Sequence, residues 1–268
     1  DEYFLTPQKA ALAVSVASSE MRLTKKLEKD TCSLYISIPF CPSRCAYCSF
    51  VSYTTPRLLS MIGEYLDALI IDLEETFDTI NKLNMSISTI YIGGGTPTTL
   101  SAPQMACLLD AIRDNFDLSR CIEFTVEGGR PDTLNAEKLK AIHDHGADRM
   151  SINPQTMEDH VLRACGRPHT AKDVLRCYQE AVDAGFTAIN MDLIAGLPAD
   201  TYEGFCRSLD QVIGLNPANI TVHTLALKKG ADLFEKKVPL PGVEEVTQMV
   251  AYANKALREA GYTPYYLY

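Results

Sequence analysis

Residues 34–50 read Leu34-Tyr-Ile-Ser-Ile-Pro-Phe-Cys41-Pro-Ser-Arg-Cys45-Ala-Tyr-Cys48-Ser-Phe50. Leu34 to Pro39 is a short β-branched run of strand character. Three cysteines follow at once, spaced C-x3-C-x2-C. Pro39 and Pro42 remove backbone donors and disfavour helix in the residues before them. The stretch therefore reads as a strand feeding a compact loop. A helical pattern begins near Leu58, with Met61, Ile62, Tyr65, Leu66, Leu69, Ile70, Leu73 and Phe77 on one stripe. Strand, loop and helix make one unit.

Working outward, the unit recurs. Further apolar runs lie at Ser88 to Gly93, Ile122 to Glu127, Arg149 to Asn153, Ala188 to Ile194 and Ile220 to Thr224. Amphipathic helices are predicted near Pro103–Asn115, Ala136–Asp144, Ala171–Ala184, Tyr202–Ile213 and Val243–Ala260, with Gly146, Gly185 and Gly261 as C-caps. Six βα units in succession predict an α/β fold, a parallel sheet with its helices outside. Periodicity leaves open whether the sheet is doubly wound or a full or partial barrel. Residues 1–33 read as a helical lead-in, with Thr6 as N-cap and Pro7 in the first turn. No linker, low-complexity tract or charge block marks a second domain.

The 268 residues carry 34 acidic and 25 basic side chains, a net charge of −9, and are 46% hydrophobic. The chain is too apolar to be disordered. Its negative balance excludes a general attraction to nucleic-acid phosphates. Nine cysteines cannot all pair. The opening DEYFLTP lacks a cationic leader, and the apolar stretch Ala10 to Ala17 is far short of the ~20 residues that span a bilayer. A cytoplasmic protein with reduced thiols is expected, and clustered thiols there point to metal or catalysis. The missing initiator Met and the aromatic end TPYYLY lead to the expectation of a piece of a longer chain.

Cys41, Cys45 and Cys48 invite three readings. Structural zinc wants four ligands, usually as two C-x2-C pairs, and Cys32 lies on the far side of a strand. Free cysteines also serve as small buried hydrophobes. A [4Fe–4S] cluster is held by thiolates, and three of them leave one iron open for a ligand. Beside the triad stands Tyr91-Ile-Gly-Gly-Gly-Thr-Pro-Thr98, where Gly94, Gly95 and Thr96 at a strand end suit a polar cofactor tail. It is neither a P-loop nor a dinucleotide fingerprint. Glu127, Gln155 and Asp192 fall at or after later strands, and Arg167 sits in CGRPHT. Asp192 has apolar neighbours and so needs partners. Arg167 can fork onto a carboxylate.

These motifs resemble the radical S-adenosylmethionine (SAM) superfamily. Within it they resemble the oxygen-independent coproporphyrinogen III oxidase-like family, and most of all its HemZ-type dehydrogenase branch. YISIPFCPSRCAYCSF, VEGGRPDT, SINPQTM, GRPHT and YTPYYLY carry the likeness, which runs from Leu34 to Tyr268. The resemblance implies a partial (β/α)6 TIM-like barrel at 34–268, a core flanked by further domains in the family, so that the core alone is expected to be inactive. It implies a [4Fe–4S] cluster on Cys41, Cys45 and Cys48, and SAM chelated at the open iron. In such proteins the reduced cluster cleaves SAM to a 5′-deoxyadenosyl radical, which takes hydrogen from the substrate. The GGGTPT stretch would meet the SAM amino group; Glu127 and Arg167 would hold the methionine end; Gln155 and Asp192 would hold the ribose. Tyr35 would stand beside the cofactor as a catalytic-site residue, and Tyr47 would join the binding set.

Two positions depart from the well-characterised oxidases: Phe50 replaces a fourth cysteine, as in the heme-chaperone branch, and Ser37 replaces a histidine. The implied function is oxidative decarboxylation of porphyrinogen propionates to vinyls. The alternatives are a heme chaperone without that activity, or a radical SAM methyltransferase acting on heme. The implied partners are a porphyrinogen or heme-like tetrapyrrole and a reductant such as flavodoxin or ferredoxin, with neither nucleic acid nor a membrane span. Arg44, Arg57 and Arg130 flank the mouth and could pair with substrate carboxylates, solvated surface being the default for each. His223 ends the sixth strand and points to the same mouth, while His143 and His145 sit near a helix end. Cys107, Cys121, Cys165, Cys177 and Cys206 are expected to be packing residues.

Overall fold

The structure, a computed structural model, describes residues 6–24, 28–50 and 52–266. The opening DEYFL and the last two residues of YTPYYLY lie outside the described residues, and so does the question of a longer chain. Helix α1 (Pro7–Thr24) starts where Thr6 accepts from Lys9 N at 3.3 Å. Strand β1 (Thr31–Ile38) follows, then the cysteine loop and α2 (Pro56–Leu59). The units continue as α3 (Ile62–Lys82), β2 (Ser86–Gly94), α4 (Ala102–Asn115), β3 (Glu123–Gly129), α5 (Ala136–Asp144) and β4 (Arg149–Gln155). After them come α6 (Asp159–Ala164), α7 (Ala171–Asp183), β5 (Ala188–Ala195), α8 (Tyr202–Gly214), β6 (Asn219–Thr224), α9 (Asp232–Glu235) and α10 (Val243–Glu259).

All six strands are parallel and lie in the order β1-β2-β3-β4-β5-β6. Each crossover thus steps the same way. With the near-universal right-handed connection, every helix then lands on one face. A doubly wound sheet would reverse direction at a switch point and cover both faces. The choice left open by periodicity resolves to a barrel, and β1 and β6 do not pair among the described residues, so the barrel is partial.

The two faces differ in chemistry. Ile36, Ile38, Ile90, Ile92, Phe124, Val126, Met150, Ile152, Ile189, Met191 and Leu193 point towards the helices. There they meet Leu66, Leu108, Leu109, Ile142, Val174, Phe205, Leu209 and Met249 in one buried core. Alternate residues face the lumen and are largely polar. The apolar runs read from sequence therefore hide a two-sided pattern, because a partial barrel has helices outside only.

Local signals set the ends of the helices. Ser101 and Gln104 form a reciprocal capping box on α4, and Thr170 and Asp173 form one on α7. Three expectations change. The lead-in ends before Thr31, because β1 pairs with β2 from Thr31↔Ser86 onward. Met61 is exposed, since α3 begins only after it. Cys107 is exposed, as its position on α4 faces away from the buried Met105, Leu108 and Leu109. Leu109 is fully enclosed, so Leu109→Ala is expected to cost about 2–5 kcal/mol of unfolding free energy, read by urea denaturation.

Candidate active site

Pairing between β1 and β2 continues past the strand ends. Gly95 N donates to Ile38 O at 2.8 Å, and Thr96 N donates to Phe40 O at 2.8 Å. The approach is too close for side chains. A Cβ on Gly94 would fall 2.7 Å from Ser37 Oγ; one on Gly95 would fall 2.8 Å from Phe40 O and 3.0 Å from Cys41 Sγ. The Thr96 hydroxyl then meets Cys41 Sγ at 3.3 Å.

From Cys41 the loop is held on every side. Cys41 N donates to Tyr53 O (3.1 Å) and Tyr53 N to Pro39 O (2.7 Å). Cys48 N bonds Cys45 O (3.0 Å), Ala46 N bonds Cys165 O (3.0 Å), and Leu233 N bonds Ala46 O (2.9 Å). Arg44 Nη2 donates to Gly230 O at 2.9 Å. Cys41 and Cys45 are buried and Cys48 half-buried. Burial pushes the Cys41 and Cys48 thiols up, and the Cys45 sulfur beside them adds to it. Among the described residues, no three His, Cys, Asp or Glu side chains converge closely enough to hold a single metal ion.

Arg167 is buried and grips this loop. Its Nη1 donates to Tyr47 Oη at 3.1 Å and lies 3.6 Å from Cys45 Sγ; its Nη2 donates to Asn153 O at 2.7 Å and Gly129 O at 3.3 Å. The expected open fork is thus committed to the protein, because the β3 and β4 ends present carbonyls to it. Only Nε lacks a partner. Tyr47 packs against Val161, Cys165, Ile194 and Leu197 beneath the loop. Burial there pushes the Cys165 thiol up to about 12, as suits a packing residue.

A second group lines the lumen. Thr221 donates to Asn190 Oδ1 (3.1 Å), and Asn190 Nδ2 to Ser151 Oγ (2.7 Å) and Asp192 Oδ1 (2.8 Å). Ser151 donates to Asn153 Oδ1 (2.8 Å), Asn153 Nδ2 to Glu127 Oε1 (3.2 Å), and Tyr91 Oη to Glu127 Oε2 (3.4 Å). Tyr91 stacks on the exposed Tyr35, centroids 5.9 Å apart. The chain of contacts crosses all six strands. Asp192 Oδ2 lies 3.8 Å from His223 Nε2. Burial, with the nearby Asp192 charge, pushes the Glu127 carboxyl up to about 7. Gln155 ends β4 with φ +69°, a conformation that strains a residue with a Cβ, and its buried Oε1 has no partner.

Sequence reading missed Tyr91, Ser151, Asn153 and Asn190; polar residues alternating with Ile and Met were their signal. It also misplaced Arg130. That guanidinium is buried, because the turn after β3 folds it inward onto Asp132 and Ser43, so it is unavailable to a substrate. Arg57 is exposed on α2, and Arg44 is spent on the loop. His143 stacks edge-on with Phe186, and His145 bonds Ala141 O, both at the end of α5.

Residues 35–212 match the radical SAM superfamily. The chain belongs to that superfamily. Radical SAM proteins use a [4Fe–4S] cluster and SAM. Over its whole length this one is 37% identical to the oxygen-independent coproporphyrinogen-III oxidase-like protein HemZ of Bacillus subtilis, of which it covers 54%. It is 36% identical over 87% of its length to the heme chaperone HemW of the same species, covering 62% of it. Coproporphyrinogen III oxidase HemN of Escherichia coli, a radical SAM enzyme, superposes with a TM-score of 0.77 at 29% identity, over 88% of this chain and 54% of that one. The chain therefore spans little more than half the length of these relatives. Among its described residues no helix is long and apolar enough to cross a membrane.

Two outcomes follow from this radical SAM mouth. Gly95→Ala drives a methyl into Phe40 O and Cys41 Sγ; urea denaturation should show a loss of about 1–3 kcal/mol. Glu127 holds its proton more tightly folded than unfolded, about 7 against 4.5. Stability is therefore lost as pH rises from 4.5 through about 7. Glu127→Gln should flatten that part of the ligand-free protein's stability–pH curve; an unchanged slope would show that Glu127 does not cause it.

Proposed function

We propose that this chain is the cofactor-binding core of a radical SAM enzyme that oxidatively decarboxylates porphyrinogen propionates to vinyls. The observation that carries the reading is the mouth itself, three thiols on a braced loop beside Thr96 and Arg167, in a chain 37% identical throughout to a coproporphyrinogen oxidase-like protein.

The residues suit the cofactors. Three thiols on one braced loop, without the fourth ligand that structural zinc wants, fit a cluster with one open iron better than mononuclear zinc. Cys41, Cys45 and Cys48 would ligate it. The amides of Gly95 and Thr96 are already spent, so Gly94 and Gly95 would offer carbonyl oxygens, which an ammonium requires, and Thr96, whose carbonyl accepts from Thr99 N, would offer its hydroxyl oxygen. Glu127 would accept from the same ammonium, and the added positive charge would favour its ionised form. Arg167 Nε is free to meet the methionine carboxylate, with Tyr47 steadying the guanidinium. Gln155 Oε1 and Asp192, the latter oriented by Asn190, would accept from the ribose hydroxyls. Tyr35 would flank the bound nucleoside. When bound, cluster and SAM supply a carbon-centred radical that takes hydrogen from the substrate; the protein positions and shields. An external reductant would feed one electron to this site, and the substrate radical, on losing CO2, would pass one electron to an external one-electron acceptor.

A heme chaperone is the second reading, favoured by Phe50, which is exposed where the oxidases carry a fourth cysteine, and by the 36% identity to HemW. Anaerobic reconstitution of the full-length protein that contains this core with iron and sulfide, followed by assay with SAM, separates the readings. Decarboxylation of coproporphyrinogen is expected. Stoichiometric heme binding without turnover would overturn it in favour of the chaperone, and heme-dependent consumption of SAM with loss of heme absorbance would favour a methyltransferase. Cys45→Ala should lose the broad visible absorbance of a thiolate-held cluster; a full four-iron complement in that variant would refute the ligand assignment. Asp192→Ala should keep the cluster and weaken SAM binding, and unchanged affinity would remove its ribose role.

A further inference from the structure

Arg130 follows β3, and its side chain is only 4% exposed. Its Nε and Nη2 fork onto Asp132 Oδ1 and Oδ2 at 3.1 and 3.0 Å. Its Nη1 donates to both oxygens of Ser43, to O at 3.1 Å and Oγ at 2.8 Å. Ser43 lies midway between Cys41 and Cys45. Behind this pair, Asp132 Oδ1 meets His169 Nδ1 at 3.3 Å, and that imidazole is 1% exposed. His169 lies two residues past Arg167, and Arg167 holds Cys45 and Tyr47. Two buried guanidiniums thus seize the loop, one at Ser43 and one at Cys45, and the segment 167–169 joins their supports.

Burying a guanidinium costs heavily unless it is paired. Asp132 supplies the pair, and the fork turns the positive end towards the cysteine loop and the negative end away. Nothing about holding Ser43 in place demands a charged group, since a neutral donor would serve. The arrangement resembles an outer-shell relay, in which a carboxylate aims the group that orients a metal-binding segment.

We propose that Arg130 is a positioning residue for the three-cysteine loop, aimed by Asp132 and His169, and that its oriented charge sets the reduction potential of the cluster held there. The proposal rests on the cluster assignment made above. Losing Arg130 leaves the Asp132 charge unbalanced behind the loop and disfavours an added electron. Losing the Asp132 charge leaves the guanidinium unbalanced and favours one. Simple loss of packing moves stability in both variants but has no reason to move the potential in opposite directions.

The test is EPR-monitored redox titration of the anaerobically reconstituted protein, with iron content and Tm measured alongside. Arg130→Gln should shift the midpoint potential negative, Asp132→Asn should shift it positive, and Arg130→Lys should return it towards wild type. Equal potentials in all four proteins at full iron content, or a lowered Tm without such shifts, would overturn the proposal. A wild-type protein that takes up no cluster would strike at the cluster assignment instead. Hydrogen exchange on the cluster-free protein then decides the positioning role. Faster exchange across residues 41–48 in Arg130→Gln sustains it, and unchanged exchange overturns it.

Discussion

The backbone ladder between β1 and β2 does not stop where the strands stop, and the mouth depends on that continuation. Two further amide bonds, from Gly95 and Thr96, reach the carbonyls of Ile38 and Phe40 and carry β2 alongside the start of the cysteine loop. Each bond is worth only about 0.5–1.5 kcal/mol net. Their positional effect is larger, because they set where Cys41 begins and deliver the Thr96 hydroxyl to its sulfur. The ladder can close this tightly only with hydrogen in place of Cβ at Gly94 and Gly95. Gly94 and Gly95 are therefore a steric requirement of the loop's anchorage, whatever ligand the turn also meets, while Gly93 makes room for Tyr91 and Glu127.

The sheet has a second consequence. Helices cover one face, and that face buries the core. The other face lines a lumen and must satisfy its polar groups among themselves or with a ligand. Thr221, Asn190, Ser151, Asn153, Glu127 and Tyr91 do so by handing hydrogen bonds from strand to strand. The network is not at rest. Glu127 and Asp192 repel when both are ionised, Gln155 is strained with a buried oxygen unpaired, and Arg167 keeps one donor in reserve. A cationic ligand carrying both donors and acceptors would relieve all three. Unspent polar capacity of this kind lowers the stability of the empty protein and is expected where binding matters.

Most of the architecture was legible because its causes are local. Thr6 before Pro7, and Gly146 and Gly185 just past the ends of α5 and α7, each leave a mark within a few residues. Helices α5 and α7 fall close to their predicted limits for that reason. The cysteine spacing was equally plain. What stayed hidden involved partners distant in sequence. Arg130 read as a solvated or substrate-facing cation, since nothing near it in sequence reveals Ser43, eighty-seven positions earlier. Arg167 read as an open fork, whereas its terminal nitrogens meet carbonyls from two strand ends. Tyr91 read only as the start of the glycine-rich stretch, because its partner Glu127 belongs to the next strand.

The family was marked by the resemblance of the motifs; the sequence by itself determined six βα units and the three-cysteine loop after the first strand. These follow from periodicity, turn chemistry and spacing, all encoded in short windows. Tertiary structure alone decided that the strands run in order without a switch point, so the helices share one face and the barrel stays open. It alone decided which polar side chains meet across strands and which arginines are buried. Those outcomes depend on right-handed crossovers repeated five times and on groups brought together from far along the chain, which no short window contains.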